Sequence, residues 1–235
     1  MAMELYLAMT PGEVSGCHPL PKKIAWMACH FSPWSSGLSN LPTQLPEDSV
    51  LILDDSTPFR EHDAAAIAAQ LSQAVEQLRV RRILLDFQRP GVIPVQELAQ
   101  KLAATLPCSM AVSAPYAQNL SCAVFLPPLP LNLSLEEQLA PYSGREIWLD
   151  IAPTCGELRI QTKGNAYIPM AADVFPRGRF HSDILHCRYT ASITEDGVIF
   201  SLSRHWEELE RLLDAAEKLG VTTALGLYQE LSAYI

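Results

Sequence analysis

Eight short apolar runs, most of them ending in polar residues, organise this chain. They span residues 3–9, 23–31, 49–55, 82–88, 109–113, 122–126, 146–151 and 222–228. Most are apolar on both faces, as buried parallel strands are. The fourth carries the sharpest pattern: Ile83-Leu84-Leu85 is followed by Asp86-Phe87-Gln88-Arg89-Pro90. Alternation puts Leu84, Asp86 and Gln88 on one face and Ile83, Leu85 and Phe87 on the other. A carboxylate and an amide at the exit of a buried strand need partners or a ligand.

Between the runs the period lengthens to that of helices. Asp63 is placed to N-cap an Ala-rich helix running to about Leu78, with Ile67, Leu71, Val75 and Leu78 along one side. Val95 to Leu106, Leu135 to Leu139 and residues 205–219 follow, the last ending at Gly220 in the manner of a C′ glycine. Eight strands, several alternating with helices, predict an α/β fold, an irregular (β/α)8 TIM barrel. The irregularity comes from links too short for a full helix, notably between the fifth and sixth strands. An open doubly wound sheet is the alternative, and no glycine-rich phosphate loop follows any strand to favour its nucleotide-binding form.

Residues 154–204 break the alternation of strands and helices. Residues 157–161 and 188–194 alternate apolar and polar side chains, and Glu195-Asp196-Gly197 turns the chain into Val198-Ile199-Phe200. The expectation is a small antiparallel β insertion over 154–204, between the seventh strand and the last helix and beside the barrel mouth. It lies within one TIM-barrel domain spanning 1–235.

Composition narrows the partners. The chain has 235 residues, 49% hydrophobic and 18% charged, enough for one large core. Its net charge is −9, with Lys and Arg scattered, which argues against nucleic-acid or anionic-membrane partners. No stretch has the apolar length of a transmembrane helix, and residues 1–10, with Glu4 interrupting them, read as a strand rather than a signal peptide. The 18 prolines against 11 glycines point to rigid loops. Six cysteines at 17, 29, 108, 122, 155 and 187 show no CxxC or metal spacing, and are expected as free thiols in a reducing cytoplasm.

Barrel chemistry sits at strand C-termini. Collected there are His30, Asp54, Asp55, Asp86, Gln88, Arg89, Tyr116, Asp150, Tyr228 and Glu230, with Trp34 on the loop after the second strand. Structural roles compete for each: Asp54 and Asp55 capping a loop or pairing with Arg60 or His62, Asp86 pairing with Arg89, Asp150 closing a turn. Several acids converging on one mouth are costly unless a ligand, water or cation compensates. Phe31, Trp34, Tyr116 and Tyr228 suit either sugar stacking or loop packing. A metal set drawn from His30, Asp54 or Asp55, and Asp86 lacks a His-x-His or His-x-x-x-His spacing, so neither metal nor cofactor is expected. Cys29 and His30, adjacent on a strand, face opposite ways and do not make a nucleophile–base pair.

The strand count and the end of the fourth strand resemble the family 18 glycoside hydrolases, the chitinase-like barrels. Their fourth strand ends in D-x-x-D-x-D-x-E. The corresponding positions here are Arg81, Leu84, Asp86 and Gln88, of which Asp86 matches. The order after the seventh strand is also similar: an antiparallel insertion, then Ser203 to Glu208, Leu219-Gly220-Val221, and a last strand running into Leu225 to Glu230. The resemblance implies a carbohydrate site at the C-terminal mouth. In the family the final motif glutamate protonates the glycosidic oxygen and the substrate's N-acetyl group is the nucleophile, an exception to the two-carboxylate scheme. Gln88 has no ionisable proton. Pro127-Pro128 stand where the family has a Tyr-Asp pair that helps hold the N-acetyl group, and Tyr228 stands where it has a tryptophan under the sugar.

Two functions follow. One is a glycoside-hydrolase-like barrel, non-catalytic or weakly active, that binds a small carbohydrate or related polar ligand through Gln88, His30, Asp54, Arg89, Tyr116, Asp150, Tyr228 and Trp34. The other is a hydrolase with a different catalytic pair, Asp86 with Glu230 or Asp55. Such pairs lie about 5–5.5 Å apart in retaining enzymes and about 6.5–9.5 Å apart in inverting ones.

Overall fold

The computed structural model describes residues 3–60, 63–89, 92–106, 108–171 and 177–234. Eight parallel strands form the centre: β1 (Glu4–Met9), β2 (Ile24–Phe31), β4 (Val50–Asp54), β5 (Arg82–Asp86), β6 (Ser109–Ser113), β7 (Ala123–Leu126), β8 (Ile147–Asp150) and β14 (Thr223–Leu227). Each pairs with the next, and β14 pairs with β1 (Leu5 opposite Ala224), so the sheet closes. The open-sheet alternative is thereby set aside. A two-residue strand, β3 (Leu38–Ser39), adds antiparallel to β2.

Alternation sorts the side chains into two cores, as period-two geometry requires. Tyr6, Ala25, Val50, Leu84, Ala111 and Trp148 fill the barrel interior. Ile83, Leu85 and Phe87 face outward and pack with the helices α2 (Ala64–Leu78), α3 (Ile93–Thr105) and α5 (Trp206–Lys218). Gly220, at φ +90°, takes the left-handed turn after α5 that glycine accommodates without strain. The N-terminal end of the barrel is closed by charge: Arg82 and Lys23 both pair with Glu4, and their cationic groups lie over the Tyr6 ring.

The connections are uneven. β6 reaches β7 through a single 3-10 turn at Ala114–Tyr116. Two short helices, α1 (Pro11–Gly16) and α4 (Leu135–Leu139), each carry a capping box, Thr10 with Glu13 and Ser134 with Glu137. The first is held by its reciprocal caps rather than by an apolar face. Asp63 occupies the N-cap of α2 but makes no capping hydrogen bond there, because its backbone is already αR, a correction to the expected cap.

Between β8 and α5 lies a five-stranded antiparallel sheet: β9 (Thr154–Gln161), β10 (Gly164–Met170), β11 (Phe180–Ser182), β12 (Cys187–Thr194) and β13 (Gly197–Arg204), in spatial order β10-β9-β13-β12-β11. Two arginines fasten it. Arg188 on β12 donates from Nε to the fully buried Glu208 of α5 at 2.8 Å. Arg204 donates to three backbone carbonyls: His186 at 3.0 Å, Leu185 at 2.7 Å, and Leu129 in the loop before α4. No helix is long and apolar enough to cross a membrane among the described residues.

Candidate functional site

The C-terminal ends of the strands surround a cavity of about 110 Å3. Three carboxylates enter it from different strands: Asp54 from β4, Asp86 from β5 and Asp150 from β8. Asp54 and Asp86 are register partners on adjacent strands, and both face inward because alternation carries the inward set Ile52–Asp54 and Leu84–Asp86 to the strand ends. Met27, Phe125, Leu225 and Leu227 supply apolar wall. Met27 belongs to a bulge in β2, where the register with β4 slips between Trp26 and Cys29. Bulges at barrel rims re-aim side chains in this way.

The acids differ in their surroundings. Asp86 Oδ1 accepts from Ser113 Oγ at 3.1 Å and from the Gln88 side-chain amide. Burial pushes the Asp86 carboxyl above its ordinary range; the bonds from Gln88 and Ser113 pull it back, and the charges of Asp54 and Asp55 add to the rise. Asp150 is pushed up to about 7, first by burial and then by the charges of Asp86 and Glu230, against a single backbone hydrogen bond at Ile151. Burial also raises Glu230, on the short helix α6 (Tyr228–Leu231). Asp54 accepts from the backbone N–H of Ser56 at 2.8 Å.

Other residues singled out from the sequence take supporting places. Asp55 is buried, and its two oxygens accept from the backbone N–H groups of Gln88 (2.9 Å) and Arg89 (3.0 Å). It anchors the loop that presents Gln88. Arg89 donates to the Ser56 carbonyl at 2.6 Å rather than to Asp86. Tyr116 lies in the outer core, edge-on to Phe87 at 5.8 Å, and its hydroxyl donates to the Arg89 carbonyl, so its ring is no platform at the mouth. The 3-10 turn directly after β6 carries it away from the mouth into that outer core. His30 Nδ1 lies 3.0 Å from the Ala28 carbonyl. Its neighbour Cys29 is fully buried, its thiol pushed up to about 12 by burial and then by the Asp54 charge, which removes it as a nucleophile at neutral pH. Trp34 is 92% exposed. Arg60 donates to the Pro33 carbonyl, and His62 lies outside the described residues, as does Pro90.

Leu227, rather than Tyr228, faces the cavity from the last strand; the Tyr228 hydroxyl meets Cys17 Sγ at 3.3 Å. β14 gives way to α6 at that residue, so the alternation that would locate Tyr228 stops one position early. Met27, Phe125 and Ser113 escaped the sequence reading. The inward parity of β7 was the available signal for Phe125, whereas a bulge leaves no such mark. Among the described residues no group of three or more His, Cys, Asp or Glu side chains is arranged to hold a metal ion.

Comparison with solved structures finds similar folds in chitinases and chitinase-like proteins. The spore cortex-lytic enzyme SleL of Bacillus cereus superposes with a TM-score of 0.57 at 10% identity, over 96% of this chain and 70% of that one. The GH18 chitinase of Cycas revoluta, solved with (GlcNAc)3, gives 0.57 at 9% identity over 95% and 94%. The chitinase-like agglutinin RobpsCRA of Robinia pseudoacacia gives 0.54 at 12% over 94% and 93%. At these identities the likeness is one of fold: the chain is a TIM barrel similar in architecture to these structures. No family model matches the chain, and no curated protein matches it in sequence.

Proposed function

We propose that the protein is a carbohydrate-binding barrel that holds a sugar at its C-terminal mouth with little or no hydrolysis. One observation carries this reading. At the strand end where the family 18 resemblance places the proton-donating glutamate, Gln88 presents an amide that donates to Asp86. An amide has no proton to give a leaving glycosidic oxygen. Two further departures support it. Leu84 lines the cavity at the position of a supporting carboxylate, and Pro127, at the Tyr-Asp position, offers a carbonyl that accepts from Gln138 Nε2 at 2.9 Å. The neighbouring folds include both hydrolases and an agglutinin, so the fold accommodates either outcome. The cysteines are thiols rather than disulfides, which supports a reducing compartment and the cytoplasm as its location.

The test is turnover of a chromogenic chitobioside by the unmodified protein and by Gln88→Glu. Neither is expected to show robust hydrolysis. The substitution restores a titratable proton, worth about 10²–10⁴-fold where the rest of a site is present. It restores neither the carboxylate missing at Leu84 nor the groups missing at Pro127-Pro128. Strong turnover by Gln88→Glu would mean that a family-type site is intact and silenced at one residue.

The hydrolase reading keeps one specific support. Burial raises the carboxyls of both Asp86 and Glu230 above their ordinary range, as an acid catalyst requires. Hydrolysis by the unmodified protein, abolished by Asp86→Asn and by Glu230→Gln, would favour that reading.

A further inference from the structure

We propose that the sugar held at the mouth carries a free, protonated amine, so that the ligand class is a deacetylated hexosamine chain rather than an N-acetylated or acidic one. This rests on the reading above that the mouth binds carbohydrate, and adds the chemistry of the occupant. The described lining of the cavity contains Asp54, Asp86 and Asp150, and no Lys, Arg or His. The Arg89 guanidinium, beside the mouth, donates to the Ser56 carbonyl, and His30 does not line the cavity. The remainder of the wall is apolar, from Met27, Ile52, Leu84, Phe125, Leu225 and Leu227.

Asp54 and Asp86, when ionised, only accept hydrogen bonds, so a ligand group facing them must bring donors. An N-acetyl carbonyl would meet further acceptors and carbon. A uronate or other acidic sugar would meet like charge. An ammonium brings three donors and a full positive charge, and charge-assisted bonds to carboxylate are about twice as strong as neutral ones. It would also relieve the crowding of acids: Asp54 and Asp55 act on Asp86, while Asp86 and Glu230 act on Asp150. The small volume, about 110 Å3 against the roughly 300–1,000 Å3 of enclosing pockets, suits one ring substituent entering the mouth while the chain lies across it.

The experiment is calorimetric titration of the full chain with hexamers of glucosamine, N-acetylglucosamine and glucose at pH 6, in low and moderate salt, repeated with Asp54→Asn and Asp86→Asn. The expected result is glucosamine hexamer binding at least about tenfold tighter than either neutral hexamer, with the preference weakened by salt and reduced several-fold by each substitution. N-acetylglucosamine hexamer binding as tightly or tighter would overturn this inference and leave the sugar-binding reading standing. Binding of none of the three would overturn both. A preference unchanged in both variants would place the attraction on the acidic surface at large, and would also overturn it.

Discussion

Replacing Arg204 with methionine is expected to lower the unfolding free energy by roughly 3–5 kcal/mol. The side chain is 1% exposed, and it donates to the carbonyls of Leu185, His186 and Leu129. Each buried acceptor stripped of its donor costs about 1–3 kcal/mol, so three of them outweigh any gain from removing a desolvated cation. Burial lowers the guanidinium only to about 10, so it remains charged at neutral pH. Methionine keeps the aliphatic length of the stem and removes the donors, which isolates hydrogen bonding from packing. Lysine is not expected to rescue, since a single ammonium does not reproduce the planar fork that reaches three carbonyls. Urea titration followed by circular dichroism reads the effect. A loss below about 1 kcal/mol would mean that the joint between the antiparallel sheet and the barrel does not depend on this residue.

Asp150→Asn is expected to stabilise the protein in alkaline solution and to leave it unchanged near pH 4. The carboxyl is raised from an ordinary 3.8 to about 7 in the folded state. The fold therefore favours the protonated form, and folding is penalised once the unfolded chain ionises. The penalty begins above about pH 4, grows until pH 7 and is constant beyond it. The full difference corresponds to an upper bound of about 4 kcal/mol, and relaxation of a polar mouth reduces that to ~2 kcal/mol, or ~4–8 °C in Tm for a chain of this size. Thermal melts of both proteins from pH 4 to pH 9 give the answer. A gain of equal size at every pH would assign the effect to packing. The same acid that burdens the fold lines the cavity at the barrel mouth, and in the proposed function it meets the ligand.

The parts of this structure legible in the sequence are those fixed by alternation within one strand. Ile83-Leu84-Leu85 identified a strand apolar on both sides, and parity then sent Asp86 inward and Phe87 outward. Asp54 and Asp150 were found by the same rule at the ends of β4 and β8. Where the chain leaves the strand the rule fails. Asp54 and Asp55 are adjacent acids with similar prospects in sequence, yet one lines the cavity and the other pins two backbone amides of a distant loop. Tyr116 and Tyr228 follow strands that turn into helix at once, so one is buried and the other displaced by Leu227. The bulge that brings in Met27 depends on pairing with a strand more than twenty residues away. In the antiparallel sheet, β10 and β11 carry too little apolar alternation to announce themselves, and their pairing with β9 and β12 defines them.

The central claim is an occupied but non-hydrolysing mouth. A crystal of the protein soaked in a partly N-acetylated glucosamine oligosaccharide tests it most directly. The expected density is an unbroken chain lying across the strand ends, with an amine-bearing ring against Asp54, Asp86 and Asp150 and Gln88 still bonded to Asp86. Cleaved products in that position, or a mouth left empty while sugar binds elsewhere on the surface, would contradict it.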